Sequence, residues 1–286
     1  MRPYRLVWLG LVVLSSAIAL VFAAAGRRVT NAAPAGVYLG FDCNIYPGDD
    51  ALPVLRKTFC FTSYWLGAPP GEKQSTWQGK RELLASQGFG FVVLFNGRES
   101  RKLKNSMDAR QRGFADAQAA AKLARQEGFA KGTVIFLDIE EGGRLPAPYQ
   151  DYLRAWSEEL SQSGLKAGVY CSSMPADEGG GVKITTAQDI QAHLGSRPMV
   201  FWVYNDACPP SPGCAFPQSP PPPETGGFPA AVVWQYAQSP RRKEYTARCP
   251  ANYAANGNCY APGDAAHKWL LDANVATSPD PSAPAK

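Results

Sequence analysis

The sequence predicts an α/β fold, an irregular TIM-type (β/α) barrel with about five β/α units followed by three strands joined by loops. Eight apolar runs of strand length recur between residues 36 and 274. Most of them are continuous rather than alternating, which is typical of strands covered on both faces. Helical patterns separate the earlier runs. Connections rich in proline and glycine separate the last three, where proline opposes a helix.

The predicted strands lie at residues 36–43, 58–65, 89–96, 133–140, 166–172, 199–205, 231–236 and 268–274. The predicted helices lie at residues 75–87, 108–128, 148–163 and 185–194. This alternation is typical of a parallel sheet, and eight strands over about 240 residues match a closed barrel. An interdomain linker is the alternative interpretation of the proline-rich residues 208–229. We reject it because the strand count falls short without the residues that follow.

The N-terminus predicts export. Arg2 and Arg5 precede an apolar stretch that ends in small residues, the pattern of a secretory signal. About 20 apolar residues also suffice to cross a bilayer and remain as an anchor. We therefore expect a signal peptide or membrane anchor at 1–25, attached through residues 6–25, then a linker at 26–35. The barrel occupies 36–276, and a disordered tail follows at 277–286. The expected location is secreted, periplasmic or in the cell envelope.

Net charge, histidine content and cysteine content argue against a nucleic-acid-binding protein or a histidine metal site and favour an exported protein. The net charge of +5 is too mild for a dedicated nucleic-acid binder, so no nucleic-acid partner is expected. Two histidines argue against a histidine-rich metal site, and we expect no metal, no cofactor and a monomer. Seven cysteines are typical of an exported protein.

The cysteine spacing suggests three disulfides. Cys208 with Cys214 and Cys249 with Cys259 bracket short loops, and Cys43 with Cys60 would join adjacent strands. Cys171 lies on an apolar strand, where an inert buried thiol is expected rather than a nucleophile.

Acidic residues fall where predicted strands end, which is where (β/α) barrels place their active sites. These are Asp42, Asp138, Glu140 and Asp272. Asp138 and Glu140 alternate with Ile139 and so share one face of the strand. Two acids at an apolar barrel mouth repel each other, and burial raises the pKa of at least one. Hydrolysis of a glycosidic bond needs this combination of a protonated and an ionised acid. A helix cap or loop ion pair is the commoner role for a lone acid, and a carboxylate metal site is a further alternative.

Aromatic residues follow the same strand ends, and aromatic rings can pack on the apolar faces of sugars. They are Tyr46, Trp65, Tyr170, Trp202, Tyr204, Trp234 and Tyr236, of which about half are expected to be barrel core. Gln235 could bond sugar hydroxyls, and Asp206 shares a strand face with Trp202 and Tyr204. The candidate substrate-binding residues are Asp272, Tyr170, Trp202, Tyr204, Asp206, Gln235 and Tyr46.

Eight short motifs resemble the glycoside-hydrolase-like domain of unknown function that is related to glycoside hydrolase family 25, the muramidases that cleave peptidoglycan. They are GFDCNIYPG (40–48), YWLGAPP (64–70), FVVLFNGR (91–98), FLDIEE (136–141), GVYCS (168–172), FWVYND (201–206), WQY (234–236) and LDAN (271–274). The resemblance implies a barrel in which late helices are missing. It also implies Glu140 as general acid, Asp138 as its partner, and Asp42 and Asp272 as supporting acids. Cys43 and Glu141 depart from the muramidase pattern.

The candidate catalytic residues are therefore Asp138, Glu140 and Asp42. We expect an exported glycoside hydrolase-like protein that hydrolyses or binds a cell-envelope glycan such as peptidoglycan through carboxylate acid/base catalysis. The alternative is a non-catalytic envelope module that keeps the barrel and uses it to bind a glycan or a lipid.

Overall fold

The computed structural model describes residues 36–207, 219–238 and 260–284. Its strands are β1 (Tyr38–Asp42), β2 (Phe61–Trp65), β3 (Gly90–Asn96), β4 (Val134–Asp138), β5 (Lys166–Ser172), β6 (Ala176–Asp177), β7 (Lys183–Ile184), β8 (Val200–Tyr204), β9 (Ala231–Ala237) and β10 (Asp272–Ala276). Its helices are α1 (Leu52–Leu55), α2 (Arg81–Ser86), α3 (Ser106–Gln126), α4 (Ala147–Gln162) and α5 (Thr186–Leu194).

Eight of these strands close into a barrel in the order β1-β10-β9-β8-β5-β4-β3-β2, and β6 pairs with β7 in a separate hairpin. One helix follows each of β1 to β4, and α5 follows the hairpin after β5. Between β8 and β10, the described residues contain a single 3-10 turn at Pro223–Gly226 and no α-helix. The predicted irregular barrel, with five β/α units and three further strands, is confirmed.

The direction of the last strand differs from the expected parallel sheet. β10 begins at Asp272, four residues later than predicted, and runs antiparallel to both of its neighbours, β1 and β9. A parallel strand requires a crossover that returns the chain to the opposite end of the sheet. Here the chain re-enters the barrel at the end where β9 finishes, so β10 runs back down.

Aromatic side chains fill the barrel below its carboxyl end. Phe136 and Trp202 meet edge to face at 5.7 Å. Two glycines make room for such rings. A Cβ at Gly168 would lie 2.6 Å from the Phe136 ring, and one at Gly40 would lie 2.2 Å from the Phe61 ring. The lower barrel is thus a packed core and not a pore, which places any site at the mouth.

Two helices support the strand that carries the central acids. Asn105 caps the start of α3 by accepting hydrogen bonds from the backbone N–H groups of Met107 and Asp108. The buried face of α3 consists largely of alanines, and a Cβ at Gly113 would lie 2.3 Å from the carbonyl oxygen of Tyr152 on α4. Small residues therefore let α3 and α4 pack closely outside β3 and β4.

The C-terminal residues 277–284 differ from the disordered tail that their composition predicted. Ser282 is buried and bonds to both β3 and β4: its N–H donates to Phe91, its carbonyl accepts from Val134, and its Oγ accepts from Val93, each at 2.9 Å. β4 pairs with β3 only from Val93 onward, so the start of β3 overhangs. Ser282 pairs with the backbone groups at the start of β3 that β4 does not reach. These hydrogen bonds hold the C-terminal residues in place, which their composition does not reveal.

The predicted Cys43–Cys60 disulfide is wrong, because both thiols are free. In the β1–β2 register, Cys60 lies beside Leu39, whereas the N–H of Cys43 bonds to Ser63. Three residues along β2 correspond to about 10 Å, beyond the reach of a disulfide. Cys171 is buried as expected, and burial raises the pKa of its thiol.

Several expectations fall outside the described residues. These are the signal or anchor at 1–25, the linker at 26–35, and the cysteines Cys208, Cys214, Cys249 and Cys259. None of the helices within 36–207, 219–238 and 260–284 is long and apolar enough to cross a membrane.

Replacing Ser282 by alanine tests the role of the C-terminal residues. The change leaves the buried N–H of Val93 without its acceptor, so the free energy of unfolding should fall by about 1–3 kcal/mol in urea titrations. Ser86→Ala is the control, because that exposed hydroxyl bonds only within its own turn. Its loss should change the free energy of unfolding by less than about 0.5 kcal/mol. Equal stability of the two variants would contradict a structural role for the C-terminal residues.

Candidate active site

The predicted acids converge at one end of the barrel. Asp42 ends β1, Asp138 ends β4, and Asp272 begins β10, where it lies directly opposite Asp42 in the antiparallel ladder. The sequence argument placed Asp272 at this rim by assuming a parallel strand. The reversal of β10 and its later start together bring it to the same rim.

A cavity of about 130 Å³ lies between these strand ends. Seven of the predicted site residues line it: Asp42, Asp138, Glu140, Tyr170, Trp202, Gln235 and Asp272. Sequence reasoning missed Asn44, Leu94 and Gln238, which also line it, and placed Trp65 only among the rim aromatics.

Asp138 and Glu140 form a hydrogen-bonded carboxyl pair at the cavity. The Ile139 N–H donates to the Tyr170 carbonyl at 2.9 Å, so the ladder continues one residue beyond β4 and both acids share one face. Asp138 is buried, and Glu140 is the exposed member of the pair. Burial, followed by the charges of Glu140 and Asp42, raises the pKa of Asp138 well above its ordinary value. The pair can therefore hold one shared proton.

Asp42 is buried opposite this pair. Its Oδ1 accepts hydrogen bonds from the side-chain amides of Asn274 at 2.6 Å and Gln235 at 2.9 Å. Burial raises the pKa of Asp42 to about 6, with a smaller contribution from the charge of Glu140, although both amide bonds act to lower it. Asp42 can thus change protonation close to neutral pH.

Polar side chains fix the two amides that hold Asp42. The Tyr170 hydroxyl donates to Gln235 at 2.8 Å and accepts from Gln238 at 3.1 Å. The Trp202 indole N–H donates to Asn274 at 2.9 Å. Asn274 was missed although alternation from Asp272 places it on the inner face of β10, so its sequence signal was available. For Gln238, beyond the end of β9, the sequence offered none.

Several predicted binding residues lie elsewhere. Tyr204 and Asp206 are buried and do not line the 130 Å³ cavity. Tyr204 packs instead beside Tyr170, with ring centres 5.2 Å apart. Trp234 and Tyr236 lie on the outer face of β9, because Gln235 between them points inward. The Trp234 indole donates to the carbonyl of Asn205.

Two larger cavities adjoin the central one. A cavity of about 570 Å³ shares Asp42, Asn44 and Asp272 with it and contains Tyr46, whose hydroxyl donates to Asp49. A cavity of about 340 Å³ shares Asp138 and Glu140. The three cavities therefore lie next to one another at the barrel mouth, with the acids on their shared walls, and are together called the groove.

Charged side chains in the 340 Å³ cavity already have partners. Arg98 bonds through two nitrogens to Asp116, at 2.5 and 2.6 Å, and Lys102 pairs with Glu99. Within the described residues, no group of three or more histidine, cysteine or acidic side chains is arranged to hold a metal ion.

The sequence matches a known family along residues 68–219, slightly more than half of the chain, and that family is described as Rv2525c-like, glycoside hydrolase-like domain. The chain belongs to this family. The matched part contains β3 to β8 and so includes the Asp138–Glu140 pair. The family resemblance deduced from the sequence motifs is confirmed.

Solved structures resemble this chain at low sequence identity. An uncharacterized B. stearothermophilus protein has a TM-score of 0.52 and 18% identity, over 84% of this chain and 95% of that one. The Tat-secreted protein Rv2525c of Mycobacterium tuberculosis has a TM-score of 0.49 and 16% identity, covering 87% and 98%. GHIP, a glycosyl hydrolase 25 of Streptococcus pneumoniae, has a TM-score of 0.48 and 11% identity, over 84% of this chain and 86% of that one. A comparison with curated proteins gave no match.

The raised pKa of Asp42 predicts how stability depends on pH. The folded protein binds this proton more tightly than the unfolded chain, whose ordinary pKa is 3.8. The contribution of Asp42 to the free energy of unfolding should therefore fall by about 3 kcal/mol as pH rises from about 4 to about 6, and stay lower above that.

Urea unfolding at several pH values tests this prediction. Asp42→Asn keeps an acceptor for Asn274 and Gln235 but removes the titrating group, so its curve should be flatter over the same range. Parallel curves for the two proteins would contradict the raised pKa of Asp42.

Proposed function

We propose that this protein hydrolyses a glycosidic bond in a cell-envelope glycan such as peptidoglycan, with the Asp138–Glu140 pair supplying the proton. The observation that carries this proposal is a buried carboxyl group, hydrogen-bonded to an exposed one, at a cavity in the barrel mouth. Membership of a glycoside hydrolase-like family supports it.

The proposed reaction follows from which acid faces the groove. Glu140, the exposed member, passes the shared proton to the glycosidic oxygen while the bond between that oxygen and the anomeric carbon breaks. Water adds to the anomeric carbon and returns a proton to a carboxylate. The negative charge of Asp42 or Asp272 stabilises the positive charge that develops on the sugar ring.

The adjoining cavities would hold sugars on either side of the broken bond. Tyr46 and Trp269 line the 570 Å³ cavity, where aromatic rings suit the apolar faces of sugars. Asn96 and Tyr149 line the 340 Å³ cavity and offer polar groups for hydroxyls. Two of the binding residues predicted from sequence hold Asp42 instead. Gln235 donates to Asp42, and Tyr170 donates to Gln235, so we assign both to the support of that acid.

We also propose that the protein is exported. The observation is the basic start and apolar stretch at residues 2–25. N-terminal sequencing of the protein recovered outside the cytoplasm tests this: a start near Gly26 indicates a cleaved signal, a start at Met1 indicates a retained anchor, and recovery only from the cytoplasm contradicts export.

Glu140→Gln tests the catalytic proposal against a matched neighbour. Loss of the proton-passing carboxyl should reduce release of soluble fragments from purified cell-wall glycans by about 100-fold or more. Glu141→Gln makes the same chemical change one residue away. It keeps the oxygen that accepts the Ser100 N–H but lies on the wall of the 340 Å³ cavity, so its activity should fall by less than about 10-fold, through weaker sugar binding.

Two results would count against this mechanism. Equal activity of the two variants would remove Glu140 from the reaction. Absence of hydrolysis by the unmodified protein on a broad glycan panel, with saturable glycan or lipid binding that survives Glu140→Gln, would instead support the non-catalytic binding module.

A further inference from the structure

Both amide hydrogen bonds to Asp42 reach the same oxygen. Asn274 Nδ2 and Gln235 Nε2 donate to Oδ1, at 2.6 and 2.9 Å. An oxygen that faces two N–H donors cannot carry a proton directed at them without a clash. When Asp42 is neutral, its proton therefore belongs on Oδ2.

The Asn274 amide cannot turn over while Trp202 is in place. An indole N–H can only donate, so the group that faces it at 2.9 Å must be the Asn274 oxygen. The nitrogen of the same amide must then face Asp42. This orientation follows from the chemistry of tryptophan and holds in both protonation states of Asp42.

The second amide is not held in this way. Gln235 faces the Tyr170 hydroxyl, and a hydroxyl can donate or accept. Gln238, which donates to that hydroxyl, carries an amide that can also reverse. The Gln235 side of the network can therefore reorganise when Asp42 gains a proton, whereas the Asn274 side cannot.

We propose that Trp202 is a positioning residue whose indole N–H locks the Asn274 amide, so that Oδ2 is the oxygen of Asp42 that takes up and releases a proton at the cavity. Sequence reasoning assigned Trp202 to sugar binding, but the ring is only 1% exposed and packs against Tyr170, with ring centres 4.8 Å apart. The catalytic use of the Asp42 proton rests on the proposed function, but the lock itself does not.

The titratable groups around Asp42 come from three other strands and from the residue that follows Asp42 in sequence. They are Asp138 and Glu140 at the end of β4, Tyr170 on β5, Asp272 at the start of β10, and Cys43 next in sequence. Trp202→Phe alters none of them, so a changed titration of Asp42 would report the lost lock.

Trp202→Phe removes the N–H and keeps an aromatic ring in the barrel. Among the described residues, the longer 3.2 Å hydrogen bond from the Asn274 nitrogen to the Asp272 carbonyl then remains to oppose turning of the amide. A neutral Asp42 can overcome that bond, because its Oδ2–H can donate to the turned Asn274 oxygen, which stabilises the protonated form. Carbon-13 NMR of the Asp42 carboxyl, assigned by its loss in Asp42→Asn, should show its pKa rise by about one unit. If the protein is active, the corresponding limb of its pH–rate profile should move the same way.

Trp156→Phe is the matched control. Trp156 is also fully buried and packs against an aromatic ring, that of Phe95. Its indole nitrogen has no hydrogen-bond partner among the described residues. Trp156→Phe should lower stability as Trp202→Phe does, but it should leave the titration of Asp42 unchanged.

A double substitution separates the lock from a general effect of the ring. Asn274→Leu removes the locked amide and should itself raise the pKa of Asp42. In that background, Trp202→Phe should cause no further shift. An equal shift in both backgrounds, or no shift on Trp202→Phe alone, would overturn the proposal. The titration needs no substrate, so it decides the matter even if the protein hydrolyses no glycan.

Discussion

Closure of the barrel by β10 is the constraint on which the site depends. This strand bonds to β1 on one side and β9 on the other, and it is antiparallel to both. The reversal places its first residue, Asp272, at the rim and directs Asn274 toward Asp42. Without this strand, Asp42 would lose its 2.6 Å amide partner and stand at an open sheet edge.

The closed mouth also accounts for the electrostatics of the acids. Asp42 and Asp138 are both buried, and each is raised in pKa first by burial and then by neighbouring carboxylates. Such groups lower the stability of the folded protein at neutral pH, since they would hold their charge more readily in water. Carboxyl groups that lower stability in this way and cluster at one cavity are typical of sites that move protons.

The parts of the fold that depend on local pattern could be predicted from sequence. Apolar runs located the strands, and alternation around Ile139 placed Asp138 and Glu140 on one face. The direction of β10 could not be predicted, because it depends on where a long connection re-enters the barrel. The Cys43–Cys60 prediction failed because adjacency of strands does not determine their register.

Side-chain roles were harder to predict than side-chain positions. Trp202 and Tyr204 are aromatic residues of the kind that bind sugars, yet both rings are buried inside the barrel. The ordering of residues 277–284 depends on the unpaired start of β3, which no local property of a proline- and serine-rich segment reveals. Such roles emerge only when distant strands meet.

The most direct measurement is the carbon-13 titration of the Asp138 carboxyl in the unmodified protein and in Glu140→Gln. Proton sharing predicts that Asp138 keeps its proton to a pH well above the ordinary aspartate range. It also predicts that removal of the Glu140 charge lowers the pH at which Asp138 titrates. An ordinary aspartate titration that is the same in both proteins would contradict a shared proton at the barrel mouth.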